Sequence, residues 1–108
     1  MIYIDMNTAM LRMRNNVGLY KRLLKMFLDS PQFADFETAL EAKDYKLAGD
    51  VAHAIKGIVG NLAMEPLFPL STSLMNQLRA GNLDQKTLDE YRLALNGTIE
   101  EVKAYLQS

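Results

Sequence analysis

The 108-residue chain has no cysteine and a single histidine, His53. Without cysteine there are no disulfides, no thiol catalysis and no cysteine-based zinc site, and one imidazole excludes a site built on several histidines. The net charge of −1 supplies no basic field for nucleic acid. No apolar run reaches the roughly 18 residues of a membrane span, and the N-terminus lacks the order of a signal peptide. We expect one cytoplasmic, monomeric domain over residues 1–108, without nucleic acid or direct membrane contact.

Motifs for nucleotide-driven and hydrolytic chemistry are also missing. The chain has no GxxxxGK[ST] phosphate loop, no kinase-type glycine loop and no GxSxG nucleophile elbow. The acidic pair Glu100-Glu101 falls on a predicted helix, where we interpret it as charge that only keeps the helix soluble. These absences favour a protein with no ATP-dependent activity of its own, and they leave His53 as the residue with distinctive chemistry.

Helical periodicity runs through the chain, and no segment alternates like a strand. After an apolar lead at residues 1–4, the pattern predicts helices at about residues 5–14, 17–29, 31–42, 44–64, 66–80 and 84–106. Pro69 allows the fifth helix to start slightly later than Pro66. Because the connections are short, we expect an all-α, antiparallel up-and-down four-helix bundle with one or two short N-terminal helices. The predicted caps are Asp5 or Asn7, Ser30, Asp44, Gly81 and Asp84.

The stretch 44–64 contains the histidine and three of the six glycines. At about 100° per residue, His53 points away from the apolar face of this helix, and Gly49, Gly57 and Gly60 lie within about 40° of it. Each glycine inside a helix costs about 1 kcal/mol relative to alanine. Three of them around one imidazole indicate that a partner comes close to this face. The apolar face consists of Leu47, Ala48, Val51, Ile55, Ile58, Val59 and Leu62.

The neighbours of His53 suit phosphoryl transfer. A neutral imidazole nitrogen can accept a phosphoryl group, and the reaction mainly requires positioning and charge neutralisation. Lys56, one turn later, would help to neutralise the phosphate, and Gly57 would leave room for the partner's phosphorylated group. Gly49 and Gly60 are equally compatible with close helix packing. Asn61, about 80° from His53, is expected at the rim of the surface.

The residues from His53 to Leu62, HAIKGIVGNL, resemble the H-x-[LI]-K-G-x-x-[GA]-[NST]-[LIV] signature of histidine-containing phosphotransfer (HPt) domains of bacterial phosphorelays. The stretch Tyr20–Phe27 is similar to the Y-x-x-L-L-x-x-F helix of that family, so the resemblance covers roughly residues 5–80. It implies a four-helix bundle with an exposed histidine in the middle of a helix. His53 would then take a phosphoryl group from the aspartyl phosphate of a receiver domain and pass it to the aspartate of another.

The resemblance also implies the partners: a response-regulator receiver domain, and a hybrid sensor histidine kinase as a further candidate. Mg²⁺ would lie on the receiver domain, so we expect no cofactor and no metal on this chain. Two positions depart from the family pattern. Ala63 stands where many relatives have glycine, and Met75, beside Asn76 and Gln77, stands where many place a Gln or Glu that approaches the imidazole.

Two other functions remain open at this stage. The chain would be a helical adaptor if it binds a receiver or a kinase without accepting phosphate. It would be the histidine domain of a chemotaxis-type kinase if a kinase catalytic domain phosphorylates it in trans. Which small or apolar residues near His53 are exposed enough to contact a partner is also open, and the candidates are Ala52, Ala54, Met64 and Met75.

Overall fold

The computed structural model describes residues 2–108, so Met1 of the predicted apolar lead lies outside the described part. Residues 2–108 form helices and no strand, which confirms the all-α class. The predicted positions agree with the observed ones to within a few residues. The helices are α1 (Met6–Arg12), α2 (Val17–Asp29), α3 (Gln32–Glu41), α4 (Tyr45–Asn61), α5 (Leu67–Arg79) and α6 (Gln85–Gln107).

Aspartate side chains start three of the helices. The carboxylates of Asp5, Asp44 and Asp84 each accept a hydrogen bond from the backbone N–H three residues later, at 3.1, 3.1 and 3.2 Å. Each bond satisfies one N–H group that the first turn leaves without an intrahelical partner. The three predicted caps are confirmed, and of the two candidates for α1 it is Asp5 that serves. Ser30 acts differently, since α3 begins only at Gln32, whose N–H donates to the Ser30 hydroxyl at 3.4 Å.

Left-handed backbone ends several helices. Gly81 follows α5 with φ +78°, as its predicted capping role requires. Ala63 has φ +58°, and α4 therefore ends at Asn61 rather than at residues 63–64 as predicted. The predicted end of α1 near Arg14 is also too late, because Arg14 itself has φ +51° and the helix ends at Arg12. The pattern of apolar residues continues through these turns, so periodicity alone places both ends too late.

The helices α3 to α6 form a four-helix bundle, with α1 and α2 packed alongside. Helix α4 packs between α3 and α5, and α5 packs on α6. Consecutive helices joined by such short connections run antiparallel. Phe36 of α3 meets Tyr91 of α6 edge to face, with ring centroids 5.3 Å apart. The next residues, Glu37 and Arg92, form an ion pair with 2.5 Å between Oε1 and Nη2, so α3 is joined to α6 both inside and at the surface.

The N-terminal segment is held against α6. The Glu101 carboxylate accepts hydrogen bonds from the backbone N–H groups of Ile2 and Tyr3, at 2.7 and 3.0 Å. The Tyr3 ring lies directly over Gly97, where any Cβ would overlap it. The interpretation of Glu100-Glu101 as charge that only keeps its helix soluble is therefore wrong for Glu101. Sequence alone does not reveal this role, because Glu101 and its partners are almost a full chain length apart.

The buried Tyr20 joins α2 to α6 and to the end of α4. Tyr20 of α2 is fully buried, and its ring packs on that of Tyr105 with the centroids 5.9 Å apart. Its hydroxyl donates to the carbonyl of Leu62, just beyond the end of α4, at 3.3 Å. Burial raises the pKa of Tyr20 to about 12. Among residues 2–108, no helix combines the length and the apolar character that crossing a membrane requires.

Candidate functional site

His53 lies in the middle of α4 and is exposed to solvent, as its position on the helical wheel predicts. The opposite face of α4 is buried and contributes Ala48, Val51, Ile55 and Val59 to the core. The prediction that Leu47 belongs to this buried face is wrong. Its side chain is 49% exposed, because it lies in the first turn of α4 and no neighbouring helix covers it.

The three glycines of α4 have three different surroundings. A Cβ at Gly57 would have no atom within 4 Å, so this exposed position is open space one turn after the histidine. A Cβ at Gly60 would come within 2.7 Å of the Phe68 ring, which covers that part of the helix. Gly49 is buried, and a Cβ there would lie 3.3 Å from the Arg79 side chain of α5. The prediction that Gly49 shares the exposed face of His53 is wrong, because α5 packs against this turn of α4.

An open groove of about 590 Å³ extends from His53 toward the C-terminal end of α4. Lys56 and Gly57 lie along it, and Phe68 of α5 forms one wall. The Lys56 Nζ lies 6.0 Å from the centre of the Phe68 ring, at the outer limit of a cation–π contact. The groove therefore combines an imidazole, a cation and an aromatic surface. It is also lined by Arg12, Val59, Gly60, Asn61, Ala63, Met64 and Glu65.

Helix α1 closes the far end of this groove. The Arg12 guanidinium donates a hydrogen bond to the Gly60 carbonyl, and the Asp5 N–H donates to the Ala63 carbonyl at 2.8 Å. The two acceptors lie in the last turn of α4 and just beyond it, where the helix dipole favours a cation. Sequence reasoning missed Arg12 and Phe68. No local signal marks either residue, since tertiary packing alone brings them to α4.

Met75 of α5 contacts the imidazole directly. Its Sδ lies 3.3 Å from His53 Nδ1, and the Met75 side chain is only 7% exposed. Asn76 is exposed, and Gln77 is engaged elsewhere: its amide donates to Thr87 Oγ1 and accepts from the Asp84 N–H. Many relatives have a Gln or Glu at the position of Met75, and here a thioether faces the histidine instead.

A family model described as the Hpt domain matches residues 22–105, which is more than three quarters of the chain. The chain belongs to the Hpt domain family. Comparison with curated proteins gave no match, and comparison with solved structures gave none either. Hpt domains are phosphocarrier modules of two-component phosphorelays and interact with receiver domains. The matched range contains His53, whereas α1 and its Arg12 lie before it.

Fewer residues are exposed around the histidine of this Hpt domain than the four candidates proposed from the sequence. Ala52, Met64 and Met75 are buried, at 2%, 0% and 7% exposure, and only Ala54 of that set is partly exposed. Asn61 is exposed at the last turn of α4. Within residues 2–108, no three His, Cys, Asp or Glu side chains come close enough to hold a metal ion. The exposed or partly exposed residues at this face are His53, Ala54, Lys56, Gly57, Asn61 and Phe68.

Proposed function

We propose that His53 accepts a phosphoryl group from the aspartyl phosphate of a receiver domain and passes it to the aspartate of another receiver domain. The observation that supports this most strongly is an exposed imidazole in the middle of a rigid helix with open space at Gly57 beside it. A Cβ at Gly57 would have no atom within 4 Å, so no side chain fills the space beside the ring. Membership of the Hpt family gives the same class of reaction.

The proposed step forms one bond and breaks one. Nε2, which has no hydrogen-bond partner among residues 2–108, attacks phosphorus with its lone pair. The bond from phosphorus to the aspartyl oxygen breaks, and its electron pair leaves on the aspartate carboxylate. The proton on Nδ1 stays on the ring. Transfer to the second receiver reverses these changes, and Mg²⁺ would be supplied by the receiver domain rather than by this chain.

Lys56 and the groove have distinct parts in the proposal. The Lys56 ammonium, one helical turn from His53, neutralises part of the charge on the phosphohistidine. Gly57 keeps the approach to Nε2 open. Phe68 and Asn61 provide the apolar and polar rim on which the receiver rests, and the missing Cβ of Gly60 allows the Phe68 ring to pack closely against α4. Gly49 supports the site only indirectly, by letting α5 pack closely against α4.

A two-step relay assay tests this function. The chain is mixed with a receiver domain carrying ³²P on its aspartate, repurified, and then mixed with a second receiver. We expect an acid-labile, alkali-stable label on the chain that moves to the second receiver, and no label on the variant His53→Gln. A label that survives His53→Gln would end the proposal.

Two further arms of the assay separate the other functions. Binding of the receiver without any label on the chain would identify an adaptor. ATP and a kinase catalytic domain, without any receiver, would label a histidine domain of the chemotaxis-kinase type. A receiver whose aspartate is replaced by asparagine serves as the negative control, because it binds but has no phosphoryl group to give.

A further inference from the structure

We infer that Met75 is a positioning residue for the imidazole, and that its thioether selects the tautomer of His53 that carries the proton on Nδ1. The inference rests on the proposed function, because it concerns the nitrogen that attacks phosphorus. It begins with one contact, the 3.3 Å distance between Met75 Sδ and His53 Nδ1.

The chemistry of sulfur decides which of the two atoms donates the hydrogen bond in this contact. A thioether has lone pairs but no proton, so it can accept a hydrogen bond and never donate one. A neutral imidazole carries its proton on one nitrogen and a lone pair on the other. A hydrogen bond between this pair therefore requires the proton on Nδ1, and the lone pair is then on Nε2. A glutamine amide at the same place, having both a donor and an acceptor, would favour either tautomer after a simple flip.

The position of Met75 makes the sulfur a fixed acceptor. The side chain is buried on α5 between residues of the core, while the imidazole projects from α4 into solvent. Close packing in the core restricts the rotamers of a buried side chain, and the sulfur contacts the ring from its inner side. No other group among residues 2–108 competes for Nδ1, and Gln77 is held by Thr87 and Asp84.

The position of the proton decides which ring nitrogen can attack phosphorus and how the charge of the product is held. With Nδ1 protonated, the lone pair of Nε2 points outward, on the exposed side of the ring. When Nε2 binds phosphorus the ring becomes cationic, and the Nδ1–H that remains still faces the sulfur lone pair. In the other tautomer Nε2 carries the proton and cannot attack. An acceptor that holds Nδ1–H therefore raises the fraction of the protein that is ready to react.

The tautomer can be measured without any phosphate. In ¹⁵N-histidine-labelled protein at a pH where the ring is neutral, we expect the wild-type spectrum to show Nδ1–H as the main form. The variant Met75→Leu, which keeps the volume and removes the acceptor, should contain a large Nε2–H population. Met13→Leu is the matched control, since Met13 has the same 7% exposure and lies at the end of α1. A wild-type spectrum dominated by Nε2–H would overturn the inference and needs no variant.

Transfer rates give the second readout. We expect Met75→Leu to accept phosphate from a receiver about 3- to 10-fold more slowly than wild type, as suits the loss of one weak hydrogen bond. Met75→Gln should transfer at a rate between those of Met75→Leu and wild type, because its amide can accept from Nδ1–H or, after a flip, donate to Nδ1. Met13→Leu should match wild type. Equal rates and equal tautomers in Met75→Leu and Met13→Leu would reduce Met75 to a packing residue. Failure of the wild type to accept phosphate would instead remove the proposed function and leave the tautomer result standing.

Discussion

Gly57 occupies an exposed position inside α4 where a side chain would meet nothing. Alanine there should stabilise the helix, since glycine within a helix is about 1 kcal/mol less favourable. The same methyl group fills part of the space through which a receiver would reach Nε2. We therefore expect Gly57→Ala to raise the free energy of unfolding by about 1 kcal/mol in urea titrations while it slows phosphoryl transfer. Gly57→Leu should slow transfer by about tenfold or more.

Gly18 provides the comparison for Gly57. It is exposed on α2, and a Cβ there would make only an ordinary contact with Asn16 at 3.6 Å. Gly18→Ala should leave transfer at the wild-type rate. If Gly57→Ala transfers as fast as Gly18→Ala, the open space at Gly57 has no part in the reaction, and its glycine needs another explanation.

Lys43 is a residue under backbone strain, with φ +56° in the turn between α3 and α4. Its side chain is exposed, so its replacement removes no packing. A left-handed conformation costs a residue with a Cβ roughly 1 kcal/mol more than it costs glycine. Lys43→Gly should therefore stabilise the fold by about 1 kcal/mol. Ala42→Gly, one residue earlier in right-handed backbone, should destabilise it, and the same sign for both variants in thermal unfolding would contradict this account.

At the scale of single residues, the helical wheel correctly predicts the side-chain directions that depend on one helix alone. It places His53 outward and Gly57 beside it. It fails for Gly49, because whether a glycine faces solvent or a neighbour depends on where α5 packs. It also gives no hint that a methionine twenty-two positions away would contact Nδ1.

At the scale of the helices, α1 contacts the C-terminal end of α4, and the sequence does not predict this contact. Arg12 donates to the Gly60 carbonyl and places a cation where the helix dipole favours one. Arg12→Ala should lower the free energy of unfolding by about 1 kcal/mol and increase amide hydrogen exchange in the last turn of α4. Arg14→Ala is the control, because that exposed side chain makes no hydrogen bond or ion pair within residues 2–108 and should change stability by less than about 0.5 kcal/mol. Equal effects of the two variants would show that the contact with Gly60 contributes nothing.

The starts and ends of the helices show which boundaries the local sequence is sufficient to predict. Starts marked by Asp44 and Asp84 are predicted correctly, because a cap is a bond between neighbours in sequence. The end of α4 is missed by two to three residues, since Ala63 adopts a left-handed conformation usually reserved for glycine. Its carbonyl accepts the hydrogen bond from the Asp5 N–H, a partner that the local sequence does not contain.

At the scale of the whole molecule, titrating groups predict a plateau of stability between about pH 4 and pH 10. Hydrogen bonds from Thr8 and Thr87 lower the pKa of Asp5 and Asp84 below the ordinary 3.8, so the stability these caps provide is present above that pH and is lost as the pH falls. Burial raises the pKa of Tyr20 to about 12 and also raises the pKa of Tyr91. The contribution of both tyrosines is therefore complete below about pH 10 and is lost as the pH rises above it.

Two variants test the two limbs of this pH profile. Asp84→Asn keeps a good cap without a titrating group, so the loss of stability in acid should become shallower. Tyr20→Phe should reduce stability at neutral pH and make the alkaline limb shallower, with the remaining slope due to Tyr91, in urea titrations repeated from pH 3 to pH 11. An alkaline limb as steep in Tyr20→Phe as in wild type would mean that Tyr20 contributes nothing to it.

The class of fold follows from the sequence because it depends on periodicity and short connections, which are properties of neighbouring residues. The contacts that complete the bundle do not follow, since the pairs Glu37–Arg92 and Glu101–Tyr3 join residues far apart in the chain. The same holds for the groove, whose imidazole and cation are visible in the sequence while Phe68 is not. The chemistry of the site is therefore local, and its surroundings are a product of the tertiary fold.

The central claim is that His53 carries the phosphoryl group, and intact-mass spectrometry of the chain after contact with a phosphorylated receiver tests it most directly. His53 is the only histidine, so no second imidazole can substitute for it. We predict one phosphate adduct that is stable in alkali and lost in acid, and none on His53→Gln under the same conditions. An adduct of equal yield on His53→Gln, or its absence from the wild-type chain with a receiver that binds it, would contradict the account.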